Sequence, residues 1–312
     1  MAITEAGVRA ALGAVDEPTL HIPLAEAGMV GAVRVDRGGR VAMTIVLPDP
    51  RWPRRDELAR RVDQALVSVG GITEVEGQVG AMGPGEREGL AQRLRGAWAT
   101  HENAGQPGHG HDAGPDQAPP FMQPGSPTRV LGISSGKGGV GKSSLTVNLA
   151  VALARAGRQA AVLDADVYGF SVPAMLGITD PPIDLARELL VPPVAHGVAC
   201  MSMDYFVPGD RAVIWRGPML HKALSEFLTN VWWGEPDFLL VDMPPGTGDV
   251  ALSMARYLPR AEVYVVTTPQ AAAQRVARRT GLMARDRNVN LPVKGVIENM
   301  SWFTADDGTR YE

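Results

Sequence analysis

The chain has 312 residues, enough for one large domain or two ordinary domains with sizeable hydrophobic cores. A hydrophobic content of 45% and a charged content of 21% are typical of a globular protein in water, and a net charge of −4 argues against a nucleic-acid-binding surface. The single cysteine, Cys200, excludes an internal disulfide framework and suits a reducing cytosol.

The N-terminal residues predict no secretory signal, because Glu5 and Arg9 interrupt what would have to be an apolar stretch. The sequence contains no run of 18 apolar residues, so no transmembrane helix is expected. The expected location is therefore the cytoplasm, and neither nucleic acid nor a membrane is an expected partner.

Residues 3–97 are predicted to form a small α+β domain. A short helix is expected at VRAALGAV, a β-hairpin around residues 36–39, and a third strand at ITEVEGQVGAM. Between the hairpin and the third strand, the segment RDELARRVDQALVSV predicts an amphipathic helix. Its apolar residues recur at helical spacing: Leu58, Val62, Leu66 and Val69. We find no catalytic constellation in this domain.

Residues 98–128 are rich in Gly, Pro, His and Asp, which predicts a flexible linker. His101, His109 and His111 lie in this segment, and a short His-rich tract is one way to bind a metal. A flexible tract lacks the hydrogen-bond partners that orient metal ligands, so a solvated spacer is the preferred interpretation.

Residues 129–312 alternate apolar strands with helices. Strands are predicted at RVLGIS, QAAVLDAD, VACMSM, DFLLVDM, AEVYVVTT and VKGVIEN, and helices at residues 142–156 and 270–285. This alternation predicts an α/β domain with a doubly wound parallel sheet that is covered on both faces. Ligands of such sheets bind beyond the carboxyl ends of the strands, where the motifs described next are found.

The segment SSGKGGVGKSS, residues 134–144, contains the phosphate-loop pattern G-x-x-x-x-G-K-[ST] between a strand and a helix. Its glycines allow successive N–H groups to point at an anion beside the helix N-terminus. The residues expected to bind nucleotide here are Gly136, Lys137, Gly138, Gly139, Val140, Gly141, Lys142, Ser143 and Ser144. Lys142 is expected to contact the β- and γ-phosphates of ATP, and Ser143 the Mg²⁺ ion.

Carboxylates follow two of the predicted strands. Asp242 ends FLLVD, where an acidic residue is expected to hold Mg²⁺, usually through a water. The segment PPGTGD after Asp242 suits a sensor of the γ-phosphate. Asp166 is the candidate for orienting the attacking water. Asp164 is equally consistent with a role at the site and with capping the next helix.

The base of the nucleotide is less well specified by the sequence. The chain has no N-K-x-D motif of the kind that binds guanine. Asn299, at the end of VKGVIEN, is expected either to bind the adenine edge through its amide or to begin a turn.

The use of lysine in the phosphate loop is unusual for this chain. Only four of the 30 basic residues are lysines, and two of those four, Lys137 and Lys142, lie five positions apart in the loop. One lysine is enough for the phosphates of one nucleotide, so Lys137 needs a separate explanation.

Four motifs carry a resemblance to a known family. GKGGVGKSS resembles the deviant phosphate loop KGGxGK[ST] of the MinD/ParA/nitrogenase-iron-protein group. DADVYGFSVPAMLG, DMPPGTGD and GVIENMSWF look like the Mrp/ApbC branch, the iron–sulfur cluster carrier ATPases. The resemblance spans residues 129–303, and the N-terminal domain is similar to the small α+β domain of iron–sulfur assembly factors.

The resemblance implies a homodimer with ATP bound between the subunits. In the family, the lysine matching Lys137 contacts the partner's phosphates, and the one matching Lys142 serves its own nucleotide. The residue matching Asp166 lies near the attacking water, and the one matching Asn299 contacts adenine. The resemblance also implies a labile [4Fe–4S] cluster that is passed to apo iron–sulfur proteins, with other assembly factors as partners and with slow intrinsic ATP hydrolysis.

The sequence departs from the family pattern in its cysteines and its length. The family commonly has C-x-x-C after the segment matching ENMSWF, and this chain has Thr304, Ala305, Asp306 and Asp307 there. The Fe–S ligands are therefore not identified, and Cys200 is expected to be a core residue. LPDPRWPRRDEL also lacks the cysteine often found in relatives of the N-terminal domain. Because the chain ends soon after Asn299, the ATPase domain is expected to be truncated at its C-terminus.

Two other functions use the same loop. A MinD/ParA-like positioning ATPase without a cluster requires a C-terminal amphipathic helix or a basic surface, and the sequence offers neither. A small-molecule kinase requires an acceptor pocket with a catalytic base, for which there is no candidate. The preferred hypothesis is an ATP-hydrolysing iron–sulfur cluster carrier.

Overall fold

The structure is a computed structural model, and it describes residues 3–102, 121, 125–166, 169–186, 188–207, 217–246 and 249–311. The linker residues His109 and His111, and Thr247 and Gly248 of the expected γ-phosphate sensor, lie outside these ranges, as does the side chain of His101. Within the described ranges, no helix is both long enough and apolar enough to cross a membrane.

The helices and strands are numbered in chain order. The helices are α1 Glu5–Gly13, α2 Leu24–Ala27, α3 Arg55–Val67, α4 Pro84–Glu102, α5 Lys142–Arg155, α6 Val172–Leu176, α7 Gly217–Thr229, α8 Asp249–Tyr257 and α9 Ala271–Ala284. The strands are β1 Val30–Val35, β2 Arg40–Leu47, β3 Glu74–Ala81, β4 Arg129–Ser135, β5 Ala160–Asp164, β6 Ile183–Ala186, β7 Leu189–Val191, β8 Val194–Ala195, β9 Val198–Ser202, β10 Phe238–Asp242, β11 Glu262–Thr267, β12 Val293–Glu298, β13 Phe303–Thr304 and β14 Arg310–Tyr311.

The chain divides into two compact units. The first comprises Met1–Gln106 and Ile183–Val191, and the second comprises Pro107–Pro182 and Pro192–Glu312. The antiparallel hairpin of β6 and β7 thus belongs to the first unit, although its residues fall within the range expected for the nucleotide domain. The expected boundaries of 3–97, 98–128 and 129–312 stay predictions.

The first unit contains a three-stranded sheet in the order β1-β2-β3. The predicted hairpin is present, with β1 and β2 antiparallel, whereas β3 pairs with β2 in parallel. A parallel pair requires a crossover connection, and α3 provides it. The apolar residues of α3 at Leu58, Val62 and Leu66 are buried, as their spacing predicts.

A buried carboxylate lies in the core of the first unit. Glu17 is 0% exposed and accepts hydrogen bonds from the indole Nε1 of Trp52 at 3.0 Å and from the backbone N–H groups of Thr19 and Leu20 at 2.7 and 2.5 Å. Burial raises the pKa of Glu17, because desolvation disfavours the charged form. The three donors compensate for the water that the carboxylate loses on folding.

The second unit is built on a seven-stranded sheet in the order β12-β11-β4-β10-β5-β9-β8. All neighbouring pairs are parallel except β8 with β9, which is antiparallel at one edge. The prediction of a doubly wound parallel sheet is confirmed. The register places Asp242 at the end of β10 directly beside Asp164 at the end of β5, so both carboxylates lie at the same edge of the sheet.

Several helices were not predicted from the sequence. Helix α4 runs past Ala97 to Glu102, into the segment expected as linker. Gly85, Gly89 and Gly96 interrupt its apolar periodicity, so the pattern that predicts a helix is weak there. Helices α7 and α8 were also missed, although they flank β10 in the chain.

The contact between Trp52 and Glu17 generates a first prediction. Trp52→Phe retains an aromatic ring but removes the N–H donor, so a buried carboxylate oxygen loses its partner. We expect the free energy of unfolding of the first unit to fall by about 1–3 kcal/mol, measured by urea denaturation of the full chain. Trp302→Phe is the matched control, because Trp302 is 56% exposed. Equal midpoints for the two variants would contradict the assigned role.

Candidate functional site

The candidate site lies at the carboxyl ends of three central strands. Ser135 ends β4, Asp164 ends β5 and Asp242 ends β10, and these strands are neighbours in the sheet. Residues 136–141 connect β4 to α5 and form the predicted phosphate loop. A strand, a glycine-rich loop and a helix N-terminus together provide backbone N–H groups for an anion.

Two glycines of the loop are required by close contacts. A Cβ atom on Gly136 would lie 2.5 Å from the backbone nitrogen of Ala277 in α9, so a side chain there would displace the helix. Gly141 has φ +84°, in the left-handed region, and a Cβ atom there would collide with the amide of Asn299. The loop is therefore fitted closely between α9 and the end of β12.

Lys142, the first residue of α5, is a buried cation. Its side chain is 7% exposed, and its Nζ lies 2.7 Å from Oδ2 of Asp242 and 3.4 Å from Oδ2 of Asp166. Nζ also lies 3.2 Å from the hydroxyl of Ser143. A buried ammonium needs such anionic partners, because burial otherwise carries a large desolvation penalty.

Both oxygens of the Asp242 carboxylate accept hydrogen bonds. Oδ2 accepts from Lys142 and, at 2.6 Å, from the hydroxyl of Ser143. Oδ1 accepts from the hydroxyl of Thr146 at 2.8 Å. Thr146 is not among the predicted site residues, although the sequence places this hydroxyl one helical turn after Lys142.

The predicted metal residues provide suitable donors for Mg²⁺. The Ser143 hydroxyl and the Asp242 carboxylate are adjacent oxygen ligands, which Mg²⁺ prefers over nitrogen or sulfur. The two groups are also within reach of the phosphate loop, where the ion would meet nucleotide oxygens. The residues present therefore fit a magnesium ion.

Asp166 and Asp164 have different surroundings. Asp166 lies two residues beyond the end of β5 and is 7% exposed. Asp164 is 0% exposed and accepts hydrogen bonds from the backbone N–H of Asp166 at 3.2 Å and from the Ser202 hydroxyl at 3.2 Å. Burial, and then the negative charge of Asp242, raise the pKa of Asp164 to about 7.

Asp164 also contacts the start of the next helix. Its Oδ2 accepts the backbone N–H groups of Ser171 and Val172, both at 3.3 Å, at the N-terminus of α6. Asp164 therefore does cap the next helix, as one of the two predicted alternatives states, and these two bonds are part of its hydrogen bonding. Its further bond to the Asp166 backbone means that the same carboxylate also holds the candidate water-orienting residue.

The remaining loop residues differ in exposure. Four are exposed to solvent: Lys137, Gly138, Gly139 and Ser144. Val140 is buried, and its carbonyl accepts a hydrogen bond from the side-chain amide of Asn299 at 2.9 Å. The backbone N–H of Asn299 donates to Thr267 at 2.8 Å. Asn299 thus lies against the phosphate loop, and its contact with adenine stays a prediction.

No ligand set for an iron–sulfur cluster is found in the described part of the chain. Cys200 is 0% exposed in β9, and burial raises the pKa of its thiol. No group of three or more His, Cys, Asp or Glu side chains among the described residues is arranged to hold a metal. Where the family commonly has C-x-x-C, the chain instead forms the short hairpin of β13 and β14.

Comparison with known families gives two matches. The family described as NUBPL iron-transfer P-loop NTPase matches residues 126–312, and the family described as iron–sulfur cluster assembly protein matches residues 5–77. The first match covers more than half of the chain, and residues 98–125 of the predicted linker lie between the two matches.

Two iron–sulfur cluster carrier proteins agree with these matches. The iron–sulfur cluster carrier protein of Mycobacterium bovis is 44% identical over 304 residues, covering 97% of this chain and 75% of the relative. That of Bacillus subtilis is 36% identical over 310 residues, covering 99% of this chain and 81% of the relative. A solved nucleotide-binding protein from Archaeoglobus fulgidus, in complex with ADP, is 33% identical and covers 59% of this chain and 72% of its own, with a TM-score of 0.49.

The predicted resemblance to the iron–sulfur cluster carrier ATPases is confirmed by the first family match and by relatives that are 44% and 36% identical over nearly the whole chain. The chain belongs to the NUBPL iron-transfer P-loop NTPase family.

Proposed function

We propose that this chain is an ATP-driven iron–sulfur cluster carrier that acts as a homodimer and passes clusters to apo-proteins. The observation that supports ATP binding and hydrolysis is the buried ammonium of Lys142. It forms ion pairs with Asp242 and Asp166 beside the phosphate loop. The names of the relatives and the family support iron–sulfur transfer over a positioning role. The cytoplasm is the proposed location.

Nucleotide binding would proceed by an exchange of partners at Lys142. The ammonium is neutralised by two carboxylates in the structure, and the phosphates of ATP offer it new anionic oxygens. Ser143 and Asp242 would hold Mg²⁺, which neutralises phosphate charge when bound. Once Lys142 had turned to the phosphates, Oδ2 of Asp242 would be released from the ammonium and could hold the metal together with Ser143.

Asp166 would act on the water that attacks the γ-phosphate. In hydrolysis a bond forms between the water oxygen and the γ-phosphorus, and the bond to the bridging oxygen breaks, giving ADP and phosphate. The protein contributes mainly positioning and electrostatics to this reaction. Asp166 is suited to orient the water, because its carboxylate lies on the Lys142 side of the site, 3.4 Å from Nζ.

Lys137 would act on the nucleotide of a second subunit. Its side chain is exposed, whereas that of Lys142 is buried in its own site. An exposed cation at the phosphate loop can reach a facing subunit and stabilise charge in the transition state, as an arginine finger does. This assignment makes the homodimer necessary for fast hydrolysis.

Cluster binding would depend on thiolates from other proteins, because the one cysteine of this chain is buried. A [4Fe–4S] cluster is normally held by four cysteine thiolates, and this chain has one cysteine. A symmetric dimer offers two, both buried at Cys200. We therefore infer that assembly factors and apo-acceptors contribute ligands while this chain supplies the nucleotide-dependent step.

The division of labour between the two lysines can be tested by substitution. Lys142→Ala removes the cation that pairs with the phosphates and leaves two carboxylates close together, so ATP affinity should fall by about 100-fold. Lys137→Ala should change ATP affinity by less than about threefold but lower the hydrolysis rate by about 1000-fold. Equilibrium titration with a fluorescent ATP analogue and phosphate release measure the two effects.

Lys222→Ala serves as the control for this pair, because Lys222 is an exposed lysine in α7. It should match the wild type in both assays. An equal loss of ATP affinity in Lys137→Ala and Lys142→Ala would refute the proposed assignment.

Cluster transfer is tested with a scaffold protein carrying a [4Fe–4S] cluster and apo-aconitase as acceptor, under anaerobic conditions. Adding the full chain with MgATP should accelerate recovery of aconitase activity, and Lys142→Ala should not accelerate it. Cys200→Ala should retain the acceleration, because this thiol is buried.

The carrier function would be abandoned under one combined result. That result is a wild-type chain that retains no iron after reconstitution with iron and sulfide and leaves the rate of aconitase recovery unchanged. Loss of transfer in Cys200→Ala with an intact fold would instead show that Cys200 is a cluster ligand.

A further inference from the structure

Thr146 is a buried hydroxyl residue behind the phosphate loop. It lies one turn after Lys142 in α5 and is 0% exposed. Its hydroxyl is 3.0 Å from the backbone carbonyl of Lys142 and 2.8 Å from Oδ1 of Asp242. A hydroxyl has a single proton to donate, and an ionised carboxylate is a stronger acceptor than a carbonyl. The proton is therefore directed to Asp242.

The two carboxylate oxygens of Asp242 therefore have different hydrogen-bond donors. Oδ2 faces Lys142 and Ser143, the side of the site where nucleotide and metal bind. Oδ1 accepts from the buried hydroxyl of Thr146, its donor among the described residues. Asp242 is 0% exposed, so no bulk water replaces that donor. The bond to Thr146 fixes the plane of the carboxylate and keeps Oδ2 directed at Ser143.

We propose that Thr146 is the positioning residue for the magnesium carboxylate Asp242. This inference rests on the proposed function, because it assumes that Asp242 and Ser143 hold Mg²⁺ with a bound nucleotide. Residues that orient metal ligands typically change metal affinity by about 10- to 100-fold when they are removed. Thr146 touches neither nucleotide nor metal in this arrangement and acts through Asp242.

The test compares four full-length proteins: wild type, Thr146→Val, Thr146→Ser and Thr280→Val. Valine has nearly the shape of threonine without the hydroxyl, and serine restores the hydroxyl. Thr280 is the matched control, because it is 1% exposed and its hydroxyl donates to the carbonyl of Val276, four residues earlier in α9, with no carboxylate as partner in the part of the chain that the structure describes. Thr280→Val therefore removes a similar buried hydroxyl away from Asp242.

The measurement is the affinity for a fluorescent non-hydrolysable ATP analogue, first in EDTA and then with saturating Mn²⁺. The ratio of the two dissociation constants reports how much the metal strengthens nucleotide binding. Thr146→Val should reduce this ratio about 10-fold while changing the dissociation constant in EDTA by less than about threefold. Thr146→Ser and Thr280→Val should retain the wild-type ratio.

Three results would overturn the proposal. They are an unchanged ratio in Thr146→Val, an equal reduction in Thr280→Val, and a loss in Thr146→Val that is as large in EDTA as with Mn²⁺. If Thr146→Val does not fold, Thr146→Ala takes its place, and an unchanged ratio in that variant also refutes the proposal.

Failure of the proposed function gives different experimental results from failure of the role of Thr146. A wild-type chain that binds no analogue in either buffer refutes nucleotide binding and with it the role of Thr146. A wild-type chain that binds the analogue but transfers no cluster refutes only the carrier function. In that case the ratio of the dissociation constants in EDTA and with Mn²⁺ still tests the role of Thr146.

Discussion

The site depends on one buried positive charge among three carboxylates. Lys142 contacts Asp242 and Asp166 directly, and Asp164 stands beside Asp242 in the sheet. A single ammonium cannot neutralise three negative charges. Burial, and then the negative charge of Asp242, raise the pKa of Asp164 to about 7, so protonation of this carboxyl relieves part of the repulsion. The sheet end is thus prepared to accept further positive charge.

This electrostatic arrangement explains why hydroxyls surround Asp242. Ser143 and Thr146 donate to opposite oxygens of its carboxylate, so the charge that Lys142 does not balance is spread over hydrogen bonds. Ser202 has the same relation to Asp164. Each hydroxyl comes from a different position of the fold: the start of α5, its second turn, and the end of β9. The site is therefore supported from several sides.

The sequence predicted the parts of the site that are local in the chain. The strand β4, the glycine-rich loop and α5 are consecutive, and their pattern alone specified Lys142 and Ser143. Asp242 and Asp166 were also recognised, because a parallel sheet brings strand ends together. Thr146 was missed because its role depends on a partner 96 positions away, and the contact between Trp52 and Glu17, 35 positions apart, was missed for the same reason.

The close fit of the phosphate loop has a thermodynamic consequence. Gly136 lies against α9, and the carbonyl of Val140 is held by Asn299. The conformational entropy of these residues is therefore lost when the protein folds and is not lost again when a ligand arrives. An anion entering the loop meets N–H groups that are already ordered, so most of its interaction energy is retained as affinity.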